Sequence, residues 1–297
     1  MSASERDGLL AHLAEGLTTV ARCWRLARRD GLVLGFTDHD CDLAFEGCVF
    51  RATTGLSASS LVQENGLSVD NAEAMGALSD AAITEEDIAA GRWDGAEVTA
   101  WLVNWQEPGQ RALRFSGAIG EVRRGAGAFH AELRGLSERL NVPRGRVFHP
   151  DCSAVLGDRS CRVDLAAPGY SVEVPVERAS EASVFRFAGL AGFSERWFER
   201  GRALVTGGAA EGLAGAIKLD RILEGKREIT LWEPLGAEVL PGDTVLLEAG
   251  CDRRAETCRK KFDNLLNFRG FPHVPGADWL MAVPARTGGN DGGKLKG

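Results

Sequence analysis

Four cysteines carry the chemistry of this chain: Cys152 and Cys161, with eight residues between them, and Cys251 and Cys258, with six. Thiolates paired at short spacing are the soft donors that a metal ion or an iron–sulfur cluster takes. The second pair lies in a dense run: Gly250-Cys251-Asp252-Arg253-Arg254, then Thr257-Cys258-Arg259-Lys260-Lys261-Phe262, then Asn267-Phe268-Arg269-Gly270-Phe271-Pro272-His273. Arg162, Arg253, Arg254, Arg259, Lys260 and Lys261 crowd these thiols. Positive charge lowers a thiol pKa and would offset the charge of a four-thiolate centre. The spacings alone leave three readings open: metal ligands, buried free thiols or disulfides. The basic residues also read as ordinary solvated charges. Two cysteines seven positions apart in one helix would stand roughly 10 Å apart along its axis. A turn over Gly250 to Arg254 must therefore fold Cys251 back towards Cys258, and the glycine and Asp252 suit such a turn.

The remaining candidates are weaker. Cys23, beside Trp24 in a strand pattern, and Cys48, before Val49 and Phe50, read as core thiols. Asp38, His39, Asp40 and Cys41 could form a weak metal site or the start of a thiol nucleophile, but read better as a polar turn with a tucked cysteine. His149 and Asp151 flank Cys152. His149 could substitute as a ligand or support one from outside, and reads better as a loop histidine. His273 is expected to be packed or bonded in a turn that Pro272 and Pro275 stiffen. Gly207-Gly208 is a turn without the surroundings of a phosphate loop.

The elements that must position these residues are mainly strands. Glu5 to Glu15 reads as a helix stopped by Gly16. Thr18 to Arg28 and Leu32 to Thr37, joined at Asp30-Gly31, form a hairpin, as do Asp42 to Phe45 and Cys48 to Ala52 across Glu46-Gly47. Ser57 to Val69 reads as strand and turn. Thr84 caps a short helix with an acidic first turn. Val98 to Trp105, Arg111 to Val122 and Phe129 to Leu136 continue the strands, the last two as neighbours, and Ser137 to Leu140 reads as one helical turn. Asn141 to Cys161 has no clean period and reads as an ordered loop. Strand character resumes in Ser171 to Val176, Val184 to Ala188, Phe198 to Val205, Ala216 to Glu224, Glu228 to Trp232 and Thr244 to Ala249. Ala255 to Leu266 reads as a helix with Phe262, Leu265 and Leu266 on its apolar side. The class is mainly β with short helices (α+β), and the missing βαβ alternation excludes a Rossmann-type sheet.

The 297 residues suffice for about two domains. No apolar run approaches the ~18 residues of a membrane span. The polar start MSASERDGLL does not read as a signal peptide, and a reducing cytoplasm is the expected folding compartment. Seven cysteines, an odd number spread over a long chain, do not suit a secreted disulfide framework. A net charge of −7 argues against broad nucleic-acid coating.

At these residues the chain resembles a phage tail family. Gly250-Cys251-Asp252, the segment with Cys258, and Asn267-Phe268-Arg269-Gly270-Phe271-Pro272-His273-Val274-Pro275-Gly276 resemble the C-terminal signature of BR0599-type phage proteins. The upstream half, with Phe36-Thr37-Asp38-His39-Asp40, resembles the DUF2163 domain usually found with it. The family is similar to tail hub proteins of long-tailed phages and of gene transfer agents, the phage-like particles of alphaproteobacteria. It is also similar to the lambda-type minor tail protein L, whose C-terminal domain holds an iron–sulfur cluster.

The resemblance implies a non-enzymatic homotrimer at the tail tip, made in the bacterial cytoplasm. It would sit between a distal tail protein ring and a larger, megatron-like hub protein, with a tail-associated peptidase nearby. It would bind no nucleic acid stably and meet a membrane only through the assembled particle. The implied ligands are Cys152, Cys161, Cys251 and Cys258, holding a [4Fe–4S] cluster, with zinc as the alternative; Cys23, Cys41 and Cys48 match nothing in that role. The expected domains are a β-rich hub domain over 1–140, a smaller cysteine-cluster domain over 141–280 with a β subdomain at 171–249, and a flexible tail at 281–297. A tail-associated hydrolase of peptidase type, an electron-transfer protein and a zinc-stabilised module are the rival readings.

Overall fold

The computed structural model describes residues 3–16, 18–52, 71–74, 83–125, 128–135, 145 and 147–274. The readings placed on Ser57 to Val69, on Ser137 to Leu140, on 141–144 and on 281–297 lie outside these residues.

Helix α1 (Ala3–Ala14) leads into strands β1 (Val20–Ala27) and β2 (Val33–Thr37), paired antiparallel with Cys23 opposite Thr37. Strands β3 (Leu43–Phe45) and β4 (Cys48–Arg51) form the second hairpin, and β4 lies parallel to β2. Glu46 and Gly47 both adopt positive φ at its tip, as a two-residue hairpin turn of this twist demands. A short strand, β5 (Asn71–Ala74), was not expected from the sequence. Helix α2 (Glu85–Ala89) starts where Thr84 Oγ1 accepts the Asp87 N–H at 3.1 Å and stops at Gly91, whose φ is +68°. Strands β6 (Glu97–Asn104), β7 (Arg111–Gly125) and β8 (Ala128–Gly135) complete the first sheet, ordered β3-β4-β2-β1-β6-β7-β8-β5 among the described residues.

Period-two alternation gives this sheet two buried faces. Trp24, Leu26, Val98 and Ala100 join Phe36 and Trp93 on one. Ala21, Cys23, Trp101 and Val103 join Leu43, Cys48 and Phe50 on the other. Cys23 and Cys48 are core thiols as expected, and burial pushes the Cys23 thiol up to about 11.

The second sheet contains β9 (Ser171–Pro175), β10 (Arg178–Ser180), β11 (Val184–Phe187), β12 (Arg202–Val205), β13 (Ala214–Leu223), β14 (Lys226–Leu231) and β15 (Thr244–Glu248). Its order is β10-β11-β14-β13-β12-β15-β9. Strand β10 is too short to show a period in the sequence. Phe185, Phe187, Phe198, Ile217, Ile229, Val245 and Leu247 fill the core of this half. The two halves touch where Arg92 Nη2 donates to the Ala209 carbonyl at 2.8 Å.

The last helix corrects an expectation. Helix α3 covers only Ala255–Lys260, and a 3-10 turn follows at Leu265–Asn267. Asp263 takes a φ of +45°, and the Asn264 N–H returns to the Cys258 carbonyl at 3.0 Å, closing the helix early. Phe262 is buried, but Leu266 is 98% exposed, so the expected apolar stripe does not form.

Candidate metal centre

Strand β15, paired on both sides by β12 and β9, delivers Gly250 and Cys251 just past its C-terminal end. A side chain cannot fit at Gly250: a Cβ there would lie 1.7 Å from the Glu199 carbonyl oxygen and 2.7 Å from the Gly201 nitrogen. Its N–H donates to the Trp197 carbonyl at 3.0 Å. The next turn reverses the chain. Arg253 adopts φ +64°, its N–H points back to Cys251 Sγ at 3.4 Å, and Asp252 Oδ1 accepts the Arg254 N–H at 3.0 Å. This is the fold-back that the sequence required, and it sets Cys251 beside helix α3, which carries Cys258. Gly250→Ala is expected to force this exit apart and cost at least about 1–3 kcal/mol, the scale of overpacking. Thermal melting checks it; a wild-type melt would show that the close approach relaxes freely.

The loop over 147–161 supplies the other pair. Asp158 organises it: one carboxylate oxygen accepts the Ser160 and Cys161 N–H groups at 2.8 and 2.6 Å, and the other accepts Val155 N–H at 2.9 Å. These backbone donors, Cys161 foremost, hold the Asp158 carboxyl below its ordinary range. The Cys152 N–H donates to the Arg253 carbonyl at 2.8 Å, joining the two cysteine segments directly. The chain beyond α3 then returns over this loop. The Arg269 N–H donates to Cys152 Sγ at 3.3 Å, Ser153 Oγ to the Arg269 carbonyl at 3.2 Å, and Phe271 N–H to the His149 carbonyl at 2.9 Å.

The 147–161 loop, the Cys251 turn and Phe262 just past helix α3 share one small core of Ala154, Cys161, Val163, Ala249 and Phe262, with Cys152, Leu156, Tyr170, Trp197 and Cys251 packed against it. All four cysteines are free thiols, so the disulfide reading does not hold. Burial first, then the charges of Cys251, Cys152 and Cys161, push the Cys258 thiol up to about 11; burial, opposed by the Arg253 N–H and reinforced by Asp252, Cys152 and Cys161, raises Cys251. Desolvated thiols such as Cys251 and Cys258 ionise more readily with a cation beside them.

N–H groups reach Cys251, Cys152 and Cys161, the last from Asn264 Nδ2 at 3.7 Å. Among the described residues no three of these sulfurs lie within 4.8 Å of one another. Sulfurs bound to one zinc at ~2.3 Å would stand about 3.8 Å apart. Lys261 is not a solvated charge. Its ammonium donates to the Trp197 and Gly250 carbonyls over the Trp197 ring, 4.2 Å from the centroid, and burial pulls it down to about 8. Arg162, Arg253, Arg254, Arg259 and Lys260 are exposed.

The weaker candidates part from this site. His39, Asp40 and Cys41 place their ligand atoms within 4.8 Å of one another, a group able to hold a metal ion. Cys41 is exposed rather than tucked, and His39 Nδ1 accepts its backbone N–H at 2.9 Å. The Asp38 carboxylate accepts the Arg22 N–H at 2.6 Å, and the carboxylate beside His39 Nδ1, at 3.2 Å, is that of the exposed Asp40. His149 is exposed, and its Nδ1 accepts the Asp151 N–H at 3.1 Å. His273 is exposed in its turn rather than packed. Asp158, Asn264 and the backbone of Arg269 were missed from the sequence. Only the Asn264–Asn267 pair within the signature could have pointed to one of them.

Comparison with known proteins identifies the family. A family model described as the N-terminal attachment domain of a baseplate hub protein matches residues 6–164, and one described as phage conserved hypothetical protein BR0599 matches residues 196–278. No curated protein matches. Among solved structures, a chain from the virion of a native gene transfer agent particle is 57% identical, with a TM-score of 0.86 over 97% of this chain and 99% of that one. With more than half of its length under the hub attachment model and a close relative along almost all of it, the chain belongs to the baseplate hub protein family of phage and gene transfer agent tails.

Proposed function

We propose that this chain is a structural hub at the tail tip of a phage-like particle. Its first sheet serves attachment, and its second half is clipped by a [4Fe–4S] cluster on Cys152, Cys161, Cys251 and Cys258. The 57% identity to a virion chain carries the hub reading. The convergence of four free thiols, three of them facing N–H donors, carries the cluster reading. Donors to sulfur are what a thiolate-bound cluster needs from the surrounding protein.

Bound there, the cluster would supply four strong iron–thiolate links. The chain's own residues do the rest: Asp158 fixes the Cys161 turn, Arg253 the Cys251 turn, and Lys261 fastens Gly250 to Trp197. We read the assembly as a homotrimer between a distal tail protein ring and a larger hub protein, with a peptidase as a tail neighbour. Its final place is the particle's tail, after assembly in the bacterial cytoplasm. We put the domain division near residue 140.

Visible absorption with iron, sulfide and zinc analysis of anaerobically purified protein tests the centre. About four irons and four sulfides per chain are expected. Colourless protein with one zinc replaces the cluster, and protein with neither removes the centre. Truncation after Asn267 tests the hub reading. Because Arg269 and Phe271 lie on the Cys152 loop, the truncated chain should keep its first sheet, lose most of its iron and assemble several-fold fewer particles in a producing cell. Particle yield equal to wild type would rule out the segment as an assembly element.

A further inference from the structure

Asn264 touches both halves of the cysteine site. Its backbone N–H donates to the Cys258 carbonyl at 3.0 Å, and its own carbonyl faces Cys258 Sγ at 3.3 Å. Its side chain spans to the other pair: Nδ2 donates to the Cys161 carbonyl at 2.6 Å and points to Cys161 Sγ at 3.7 Å. The amide orientation is fixed from behind, since Oδ1 accepts from Asn267 Nδ2 at 2.7 Å. A flipped amide would set its oxygen against the Cys161 carbonyl, oxygen against oxygen.

The donors to Cys152 and Cys251 are backbone N–H groups of Arg269 and Arg253. The donor to Cys161 is a side chain, and substitution can remove it without disturbing a peptide bond. Cys258 differs from the other three, because a carbonyl rather than an N–H faces its sulfur. The sulfurs are therefore unequally supported, and the balance turns on Asn264.

We propose that Asn264 is a positioning residue that pins Cys161 against Cys258 and, by donating to Cys161 Sγ, raises the reduction potential of the cluster. The proposal rests on the cluster reading above. An N–H donor disperses negative charge on a ligand sulfur, and the reduced cluster carries more of that charge, so the donor favours reduction.

The test is a redox titration, followed by visible absorption and electron paramagnetic resonance, on full-length anaerobic protein. Asn264→Asp keeps the size and the acceptor for Asn267 but turns a carboxylate oxygen towards Cys161. Asn264→Leu removes the donor without adding charge. Iron is counted in each sample. The Asp variant should move at least tenfold in its reduction equilibrium, 59 mV for one electron, to more negative potential. The Leu variant should move the same way by less. Potentials equal to wild type at equal iron content would overturn the proposal while leaving the cluster in place. A wild-type protein without iron and sulfide would remove the cluster reading, and this proposal with it. If one variant fails to load, the potential of the other decides. If neither holds iron, Asn264→Gln, which keeps the amide, decides: restored iron supports the proposal and its absence overturns it.

Discussion

Replacing Cys258 with serine is expected to abolish the visible absorption of anaerobically purified protein and to destabilise its second half by several kcal/mol, while Cys23→Ser leaves the colour unchanged. The reasoning begins with chain entropy. The 147–161 loop and the 250–262 segment precede and follow the second sheet in the chain, and in the fold hydrogen bonds such as Cys152 N–H to the Arg253 carbonyl fasten them together only weakly. A covalent link between them closes a loop of about a hundred residues, worth about 4–5 kcal/mol in the chain-entropy account of cross-links. Metal binding to a site absent from the unfolded chain adds directly to folding free energy. Serine keeps the size of Cys258 but supplies no soft donor. In the unloaded protein the Cys258 thiol also bonds to the Asn264 carbonyl at 3.3 Å, a role serine can take over, so loss of colour would report ligation rather than misfolding. Cys23 is fully buried in the first sheet beside Thr37 and makes a clean control. Iron content, absorption and calorimetric melting measure the effect. A Cys258→Ser protein with wild-type colour would remove that residue from the ligand set.

The features legible in the sequence were those written in local chemistry. Asp30-Gly31 and Glu46-Gly47 announced their hairpins, Thr84 its cap, and Gly250 with Asp252 the reversal that folds Cys251 back. Each depends on neighbours within a few residues. Apart from Asp158, whose partners Val155, Ser160 and Cys161 are local but lie in a loop without a period, what escaped depends on partners far along the chain. Asn264 reaches Cys161 across 103 positions and Arg269 reaches Cys152 across 117, and no period or composition marks either. Lys261 belonged to a basic run and read as part of its charge. Its burial follows from Trp197, 64 positions earlier, and is invisible in the run itself. The over-long final helix has the same origin. Apolar residues at helical spacing favoured continuation to Leu266, but bonding of Asn264 to Cys258 and Cys161 outweighs that local preference and leaves Leu266 in solvent. The family signature named the right segments without showing why each residue is needed.

Asp220→Ala is expected to cost about 3–5 kcal/mol and to lower melting by roughly 10 °C, at about 2–4 °C per kcal/mol. Asp220 is fully buried in β13, and Arg227 in β14 places Nε 3.0 Å from its Oδ1 without hydrogen-bond alignment. Burial pushes the carboxyl up and the guanidinium down, and their attraction opposes both. The pair's other contacts converge on one segment: Asp220 Oδ2 accepts the Phe198 N–H at 2.8 Å, while Arg227 Nη2 donates to the Phe193 and Ser194 carbonyls at 3.0 and 2.6 Å. That segment carries Trp197, whose carbonyl receives Gly250 N–H and the Lys261 ammonium. The ion pair therefore holds the wall against which the Cys251 turn is built. Removing Asp220 leaves a buried guanidinium uncompensated, the costly way to break such a pair. Removing both charges, in Asp220→Ala with Arg227→Leu, should recover much of the loss and give a coupling energy well above that of independent sites. Iron content should follow stability across the three variants. A single Asp220→Ala protein that melts with the wild type would mean that water or a neighbour solvates Arg227, and the wall would then owe its position to Phe193, Trp197 and Phe198 packing alone.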